Sequence, residues 1–161
     1  MAKGRKRKAA PGDVASNRQA SFRYSLLERF ECGIVLTGTE VKALREGKAQ
    51  LKDAYATIRE GEVWLIGFYI PPYGPASREN HEPERPRKLL LHRSEIERLM
   101  GRTRERGLTL VPTRIYFTPD GSRAKVELAL ARGKDVHDKR DTIRKREMAR
   151  DVQRELREVR H

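Results

Sequence analysis

Seventeen of the last 29 residues, Gly133 to His161, are Asp, Glu, Lys or Arg. A segment with so little apolar surface cannot enter a hydrophobic core, so the fold must close before it begins. Ten of these residues are basic and seven acidic, which rules out a simple polycationic tail. Met148, Val152, Leu156 and Val159 recur at intervals of four, four and three and fall on one narrow stripe if the segment is helical. Such a segment stands between helix and disorder and gains order from a partner, above all a polyanion. As a helix from about Thr142 to Arg160, it would align Arg146, Arg150, Arg154 and Arg157 in a cationic ridge. Like charges at those steps weaken an isolated helix by a few tenths of a kcal/mol per pair, and phosphates would relieve the repulsion. The bland alternative is a charged helix packed on its own domain or on a second copy.

Upstream, short apolar runs alternate with turn signals. Phe22 to Leu36 reads as a long extended segment with a bulge or bend at Gly33. Ala54 to Arg59 and Val63 to Ile70 flank Glu60-Gly61, a hairpin signal. Pro71 to Arg87 holds five of the eight prolines and is expected to be irregular. Lys88 to His92, Leu108 to Phe117 and Ala124 to Ala131 complete the strand candidates, the last two joined by Thr118-Pro119-Asp120-Gly121-Ser122. In the last strand Val126, Leu128 and Leu130 alternate with Lys125, Glu127 and Ala129, which turns Lys125 outward. Thr39 can cap a helix over Glu40 to Glu46 that Gly47 stops, and Ser94 with Glu97 makes a capping box for another. About six short strands with helices at two connections fit a mainly β fold, an OB-type antiparallel β-barrel with short helices. The charged tail beyond it is helical or disordered. The expected division is a basic flexible arm over 1–16, the barrel over 17–132 and the tail over 133–161.

Charge narrows the partner. The chain carries 36 Lys and Arg against 23 Asp and Glu, a net charge of +13, and the arm, body and tail are each basic. This spread favours a phosphate backbone over a small acidic substrate. Aromatic residues make up 6% of the chain, and no basic helix offers the broad Trp, Phe or Leu face of a membrane-surface helix. No run approaches the roughly 20 apolar residues of a membrane span, and Met1 to Pro11 lacks the apolar core of a secretion signal, so a cytoplasmic location is expected. The lone Cys32 forms no internal disulfide and sits in an apolar run, where a packed thiol is expected. His81, His92, His137 and His161 show no metal-binding spacing. No nucleophile elbow, phosphate loop or dinucleotide fingerprint occurs. Neither a cofactor, a metal nor an enzymatic role is expected. Glu31, between Phe30 and Cys32, is the one oddly placed acid. It can pair structurally with an Arg, accept from donors on a base or ribose, or act as a general base.

Five separated pieces then stand in the order and spacing of one family. They are Asn17-Arg18 with Ala20 and Tyr24, Phe30 to Ile34, Leu36 to Lys48, Arg87 to His92, and Ala131 to Lys134 with His137 to Arg140. In these pieces the chain resembles SmpB, the SsrA-binding proteins (small protein B) of bacteria, from about Asn17 to its C-terminus. The resemblance implies an OB-type barrel that binds the tRNA-like part of tmRNA (SsrA RNA) and carries it to ribosomes stalled without a usable codon. It also implies that the tail enters the vacant mRNA path near the decoding centre, so that the nascent chain is tagged and the ribosome rescued by trans-translation. Peptidyl transfer would remain with the ribosome, and aminoacylation with alanyl-tRNA synthetase.

Residue by residue, the resemblance puts Asn17, Arg18, Glu31, Leu91 and Lys125 on RNA. Lys125 can neutralise a phosphate, Glu31 can accept from amino or 2′-hydroxyl groups, and Leu91 can pack on an exposed base or ribose. In the tail it points to Gly133, Lys134, His137, Asp138, Lys139, Arg140, Arg144, Lys145 and Arg146 as ribosome contacts. The chain departs from many relatives at Gln19, Ser21, Phe22 and Asp135, and from some at Met148. A competing reading is a generic OB-fold binder of single-stranded nucleic acid, which needs outward aromatic residues for stacking.

Overall fold

The computed structural model describes residues 13–74, 79–105, 107–134 and 136–159. The chain begins with β1 (Asp13–Ser16), a helical turn α1 (Ala20–Arg23), the long strand β2 (Tyr24–Ile34) and helix α2 (Gly38–Arg45). Next come β3 (Tyr55–Arg59), β4 (Glu62–Ile66), β5 (Arg87–Leu90) and α3 (Arg93–Thr103). The long strands β6 (Leu108–Phe117) and β7 (Ala124–Gly133) precede α4 (Val136–Val159). Every strand pairing is antiparallel. The order is β1-β6-β3-β4-β5-β2-β7, and β7 pairs back onto β6. The molecule is thus mainly β, with a few helices at the connections. Among the described residues no helix is long and apolar enough to cross a membrane.

Side-chain alternation drives this arrangement. Val63 and Leu65 on β4, Leu110 and Ile115 on β6, and Val126, Leu128 and Leu130 on β7 are fully buried or nearly so, while Lys125 and Glu127 point outward as period-two geometry requires. Ala129 and Ala131 are buried as well, because α1 lies over them and packs Ala20 against them and Val111. Only small side chains permit so close an approach of a helical turn to a strand. The extended segment expected from Phe22 therefore starts at Tyr24, and Phe22 and Arg23 belong to α1. Likewise Asp13 to Ser16, expected within a flexible arm, form β1 and pair with β6. The rest of that arm, residues 1–12, lies outside the described residues.

Three local expectations are corrected. The register slips between Leu26 and Glu28, not at Gly33. Gly33 stays in the ladder opposite Leu90 and Lys125, and a Cβ added there would lie 3.2 Å from the Leu90 Cβ. Its missing side chain thus serves close approach of β5 rather than a bend. Helix α2 begins after Thr37, not Thr39, because Glu40 accepts a hydrogen bond from the Thr37 backbone N–H at 2.9 Å. Thr39 Oγ1 is instead engaged by His81 Nδ1 at 2.9 Å. Helix α3 follows directly on β5 with His92 as its cap, and the Ile96 N–H bonds the His92 carbonyl at 3.1 Å. Ser94 therefore lies inside the first turn and caps nothing. The Glu60-Gly61 hairpin forms as expected, with φ of 51° and 75°, the left-handed pair that a two-residue turn between twisted strands demands.

The proline-rich connection contains no strand or helix among its described residues up to Pro86, with β5 beginning at Arg87, yet it is anchored. Arg87, fully buried, pairs with Glu40 and donates to the Phe68 carbonyl at 2.6 Å and the Pro83 carbonyl at 3.1 Å. Arg85 also pairs with Glu40, whose own exposure is zero. Burial alone would push the Glu40 carboxyl up, but the Thr37 N–H and the two guanidinium groups outweigh it and hold the carboxyl below its ordinary range. His81 adds a bond to the Ile70 carbonyl at 2.9 Å. One buried polar knot thus ties α2, the connection and β5 together.

Candidate nucleic-acid interface

Strand register brings Glu31, Leu91 and Lys125 to one cleft. Glu31 on β2 faces Glu127, Gly33 faces Lys125, and Tyr116 on β6 faces Lys125 from the other side, so Glu31 and Lys125 are diagonal neighbours on the outer surface. The Lys125 Nζ lies 4.0 Å from Glu31 Oε1, and the Tyr116 hydroxyl donates to Glu31 Oε2 at 2.7 Å. The open cleft beside them encloses about 750 Å³ and is floored by Leu90, Leu91 and Phe117. Leu91 is half-buried and packs on the core, whereas Leu90 is 51% exposed. A cation and a carboxylate at the rim of an apolar floor can hold a phosphate, a base edge or ribose hydroxyl, and an unstacked base together. His92 also lines this cleft.

Asn17 and Arg18 lie elsewhere, at the end of β1. Asn17 donates its N–H to the Thr113 carbonyl at 2.7 Å and its side-chain amide to the Pro112 carbonyl at 3.3 Å. It borders a smaller pocket of about 220 Å³ with Arg23, Tyr24 and Tyr55, and Arg18 is exposed. Cys32 is fully buried, and burial pushes its thiol up to about 12, with Glu95 adding to the shift. It is therefore an inert packing residue. Among the described residues no group of three His, Cys, Asp or Glu side chains is placed to hold a metal.

The tail leaves the sheet through Gly133, the last residue of β7, and Lys134. The Lys134 N–H bonds the Arg23 carbonyl at 3.0 Å, and its Nζ donates to the Ser21 carbonyl and Thr142 Oγ1, each at 2.9 Å. The helix then runs from Val136, earlier than the Thr142 start expected from its charge ridge. Phe22 lies at the foot of the helix, with the Arg146 guanidinium 5.7 Å from its ring centroid. Beyond that point Met148, Val152, Leu156 and Val159 are 54 to 85% exposed, so the apolar stripe is left uncovered among the described residues. Arg140, Arg144 and Lys145 are exposed. His137, Asp138 and Lys139 belong to α4, but their side chains lie outside the described residues, as do Asp135, Arg160 and His161. Phe22→Ala should remove an interaction of about 0.5–1 kcal/mol. Amide exchange over 142–150 should then quicken, and unchanged exchange would show that the ring on Arg146 carries no stability.

A protein-family model, SmpB protein, matches residues 14–158. The chain belongs to the SmpB family. The SmpB match contains every candidate residue from Asn17 to Arg146. The "SsrA-binding protein" of Desulforudis audaxviator is 58% identical over 144 residues, covering 89% of this chain and 93% of that protein. The "SsrA-binding protein" of Syntrophobacter fumaroxidans is 56% identical over 141 residues, covering 88% and 86%. A chain of the solved structure described as "tmRNA-SmpB: a journey to the center of the bacterial ribosome" superposes with a TM-score of 0.64 at 50% identity, over 75% of this chain and 84% of that one. Tyr116, Leu90, His92 and Phe117 join the cleft without any mark in the linear sequence. Their signal is cross-strand register, which a run of residues does not carry.

Proposed function

We infer that this chain is the RNA-binding adaptor of trans-translation, which binds the tRNA-like part of tmRNA and delivers it to stalled ribosomes in the cytoplasm. Membership of the SmpB family and the likeness to a tmRNA-SmpB structure support that role. The observation that carries it on the molecule itself is the meeting of Glu31, Leu91 and Lys125, from three strand regions, at one cleft. We read the ring of pairings as an OB-type barrel, residues 133–161 as the tail that occupies the vacant mRNA path, and Asn17 and Arg18 as further RNA contacts. The exposed apolar stripe and cationic surface of α4 suit a helix completed by ribosomal RNA. A generic single-strand binder is less well supported: among the described residues Tyr55 is the only exposed aromatic side chain, and stacking platforms need several.

In a titration with the tRNA-like part of tmRNA, Lys125→Ala should weaken binding and lower the salt slope by about 0.7–0.9, the value of one phosphate no longer neutralised. Glu31→Ala should weaken binding with little change in slope, because a carboxylate meets donors and not phosphates. Wild-type affinity in both variants would exclude the cleft as the tmRNA site.

A further inference from the structure

We propose that Tyr116 is a positioning residue that fixes the RNA-facing carboxylate of Glu31, an inference that rests on the assignment of this cleft to tmRNA. Glu31 is an exposed strand residue, with 63% of its side chain accessible, and a free glutamate there would spread over several rotamers. The Tyr116 hydroxyl removes that freedom by donating to Oε2 at 2.7 Å. It leaves Oε1 to Lys125 at 4.0 Å and to whatever enters the cleft.

The tyrosine is itself held. The Arg114 guanidinium lies 4.4 Å from its ring centroid. Arg114 in turn bonds Asp13 Oδ1 at 2.8 Å and Glu127 Oε2 at 3.1 Å. Glu127 also takes the Thr113 hydroxyl at 2.8 Å and Arg29 at 3.0 Å. The line Asp13 and Glu127, Arg114, Tyr116, Glu31 therefore crosses β1, β6, β7 and β2 and ends on the carboxylate. Burial, reinforced by Glu31, pushes the Tyr116 hydroxyl up to about 12, so it remains a donor at neutral pH. A carboxylate held before RNA arrives costs less conformational entropy on binding than one ordered by the RNA. Without the hydroxyl, Glu31 loses the one side-chain hydrogen bond it accepts among the described residues, and its carboxylate can close on Lys125.

The test compares Tyr116→Phe, Glu31→Ala and the double variant with wild type by titration against the tRNA-like part of tmRNA, alongside thermal melting. Tyr116→Phe keeps the ring on Arg114 and removes only the donor. It should weaken binding roughly three- to tenfold, the range for the net contribution of one ordinary hydrogen bond. The melting temperature should hold, and in the Glu31→Ala background the same change should cost nothing further. If Glu31→Ala is impaired and Tyr116→Phe binds as wild type, the positioning role is overturned while the cleft stands. A loss by Tyr116→Phe that persists in full without Glu31 would also overturn it. That result would make the hydroxyl an RNA contact in its own right, or a structural group if melting falls as well. Wild-type binding by Glu31→Ala would overturn the role of Glu31 and with it that of Tyr116, and the cleft itself would fall only if Lys125→Ala also bound as wild type.

Discussion

Cutting the chain after Lys134 should abolish tagging on stalled ribosomes while the sheet stays folded and keeps most of its affinity for tmRNA. The cut belongs there and not after Arg132, because β7 extends to Gly133 and the Lys134 N–H closes onto the Arg23 carbonyl. Beyond it, the contacts of α4 with the body include the Lys134 bridge to Thr142 and the approach of Arg146 to Phe22, while the stripe from Met148 to Val159 faces outward. A helix that buries so little cannot be a large part of the stability of the sheet. Changing His137, Lys139 and Arg140 together to alanine should reproduce much of the defect, since these are the decoding-centre contacts proposed for the tail. A reconstituted reaction with ribosomes, charged tmRNA and a message lacking a stop codon would measure transfer of the nascent peptide to alanine. Wild-type transfer by the truncated protein, or loss of its tmRNA binding, would contradict the division between body and tail.

Arg87→Met should destabilise the protein by about 3 kcal/mol, because it leaves the buried Glu40 carboxylate with Arg85 as its one cationic partner among the described residues. The same knot predicts acid sensitivity. The Glu40 carboxyl titrates lower in the folded chain than in the unfolded one, so its stabilisation is fully present above about pH 4.5 and is lost as pH falls through the folded value. Glu40→Gln should therefore show a shallower loss of stability in that window than wild type. Some dependence should persist, because Glu127 is also held low: burial would raise it, but Thr113 and Arg114 prevail. Denaturant unfolding between pH 3 and pH 7 measures both effects (roughly the span over which carboxyl groups titrate). Wild-type stability in Arg87→Met, or an unchanged pH profile in Glu40→Gln, would contradict the role given to the knot.

These two predictions differ in how far the sequence anticipates them. The tail is legible as a separate, partly helical element because its charge density and narrow stripe are local properties. β6 is legible over its whole length because one largely apolar run is bounded by Gly107 and by Pro119 with Gly121. The polar knot is hidden, since Glu40 and Arg87 lie 47 residues apart and each looks like one more surface charge in a chain rich in them. The helix starts fail for a related reason. Thr37 and Thr39 are equally good caps by type, and the choice depends on His81, 42 residues beyond Thr39.

The cleft shows the same boundary between local and long-range information. Glu31 stands out because an acid interrupts an apolar run, and Lys125 because strand alternation turns it outward. Tyr116 carries no such mark: its hydroxyl acquires a role only when β6 and β2 both flank β7, bringing together residues 85 apart. Leu91 illustrates the mixed case. Alternation separates it from Leu90, yet the chain turns into α3 immediately after it, so it rests half-buried on the core while Leu90 takes the more exposed position.

The most direct measurement is to sequence the RNA captured from a bacterial lysate by the tagged wild-type protein and by a variant with Glu31, Leu91 and Lys125 all changed to alanine. Transfer-messenger RNA should dominate the wild-type capture and be absent from the variant, with the variant still folded by circular dichroism. A broad mixture of RNAs on the wild type, or tmRNA retained in full by the folded variant, would contradict the adaptor role and its placement at this cleft.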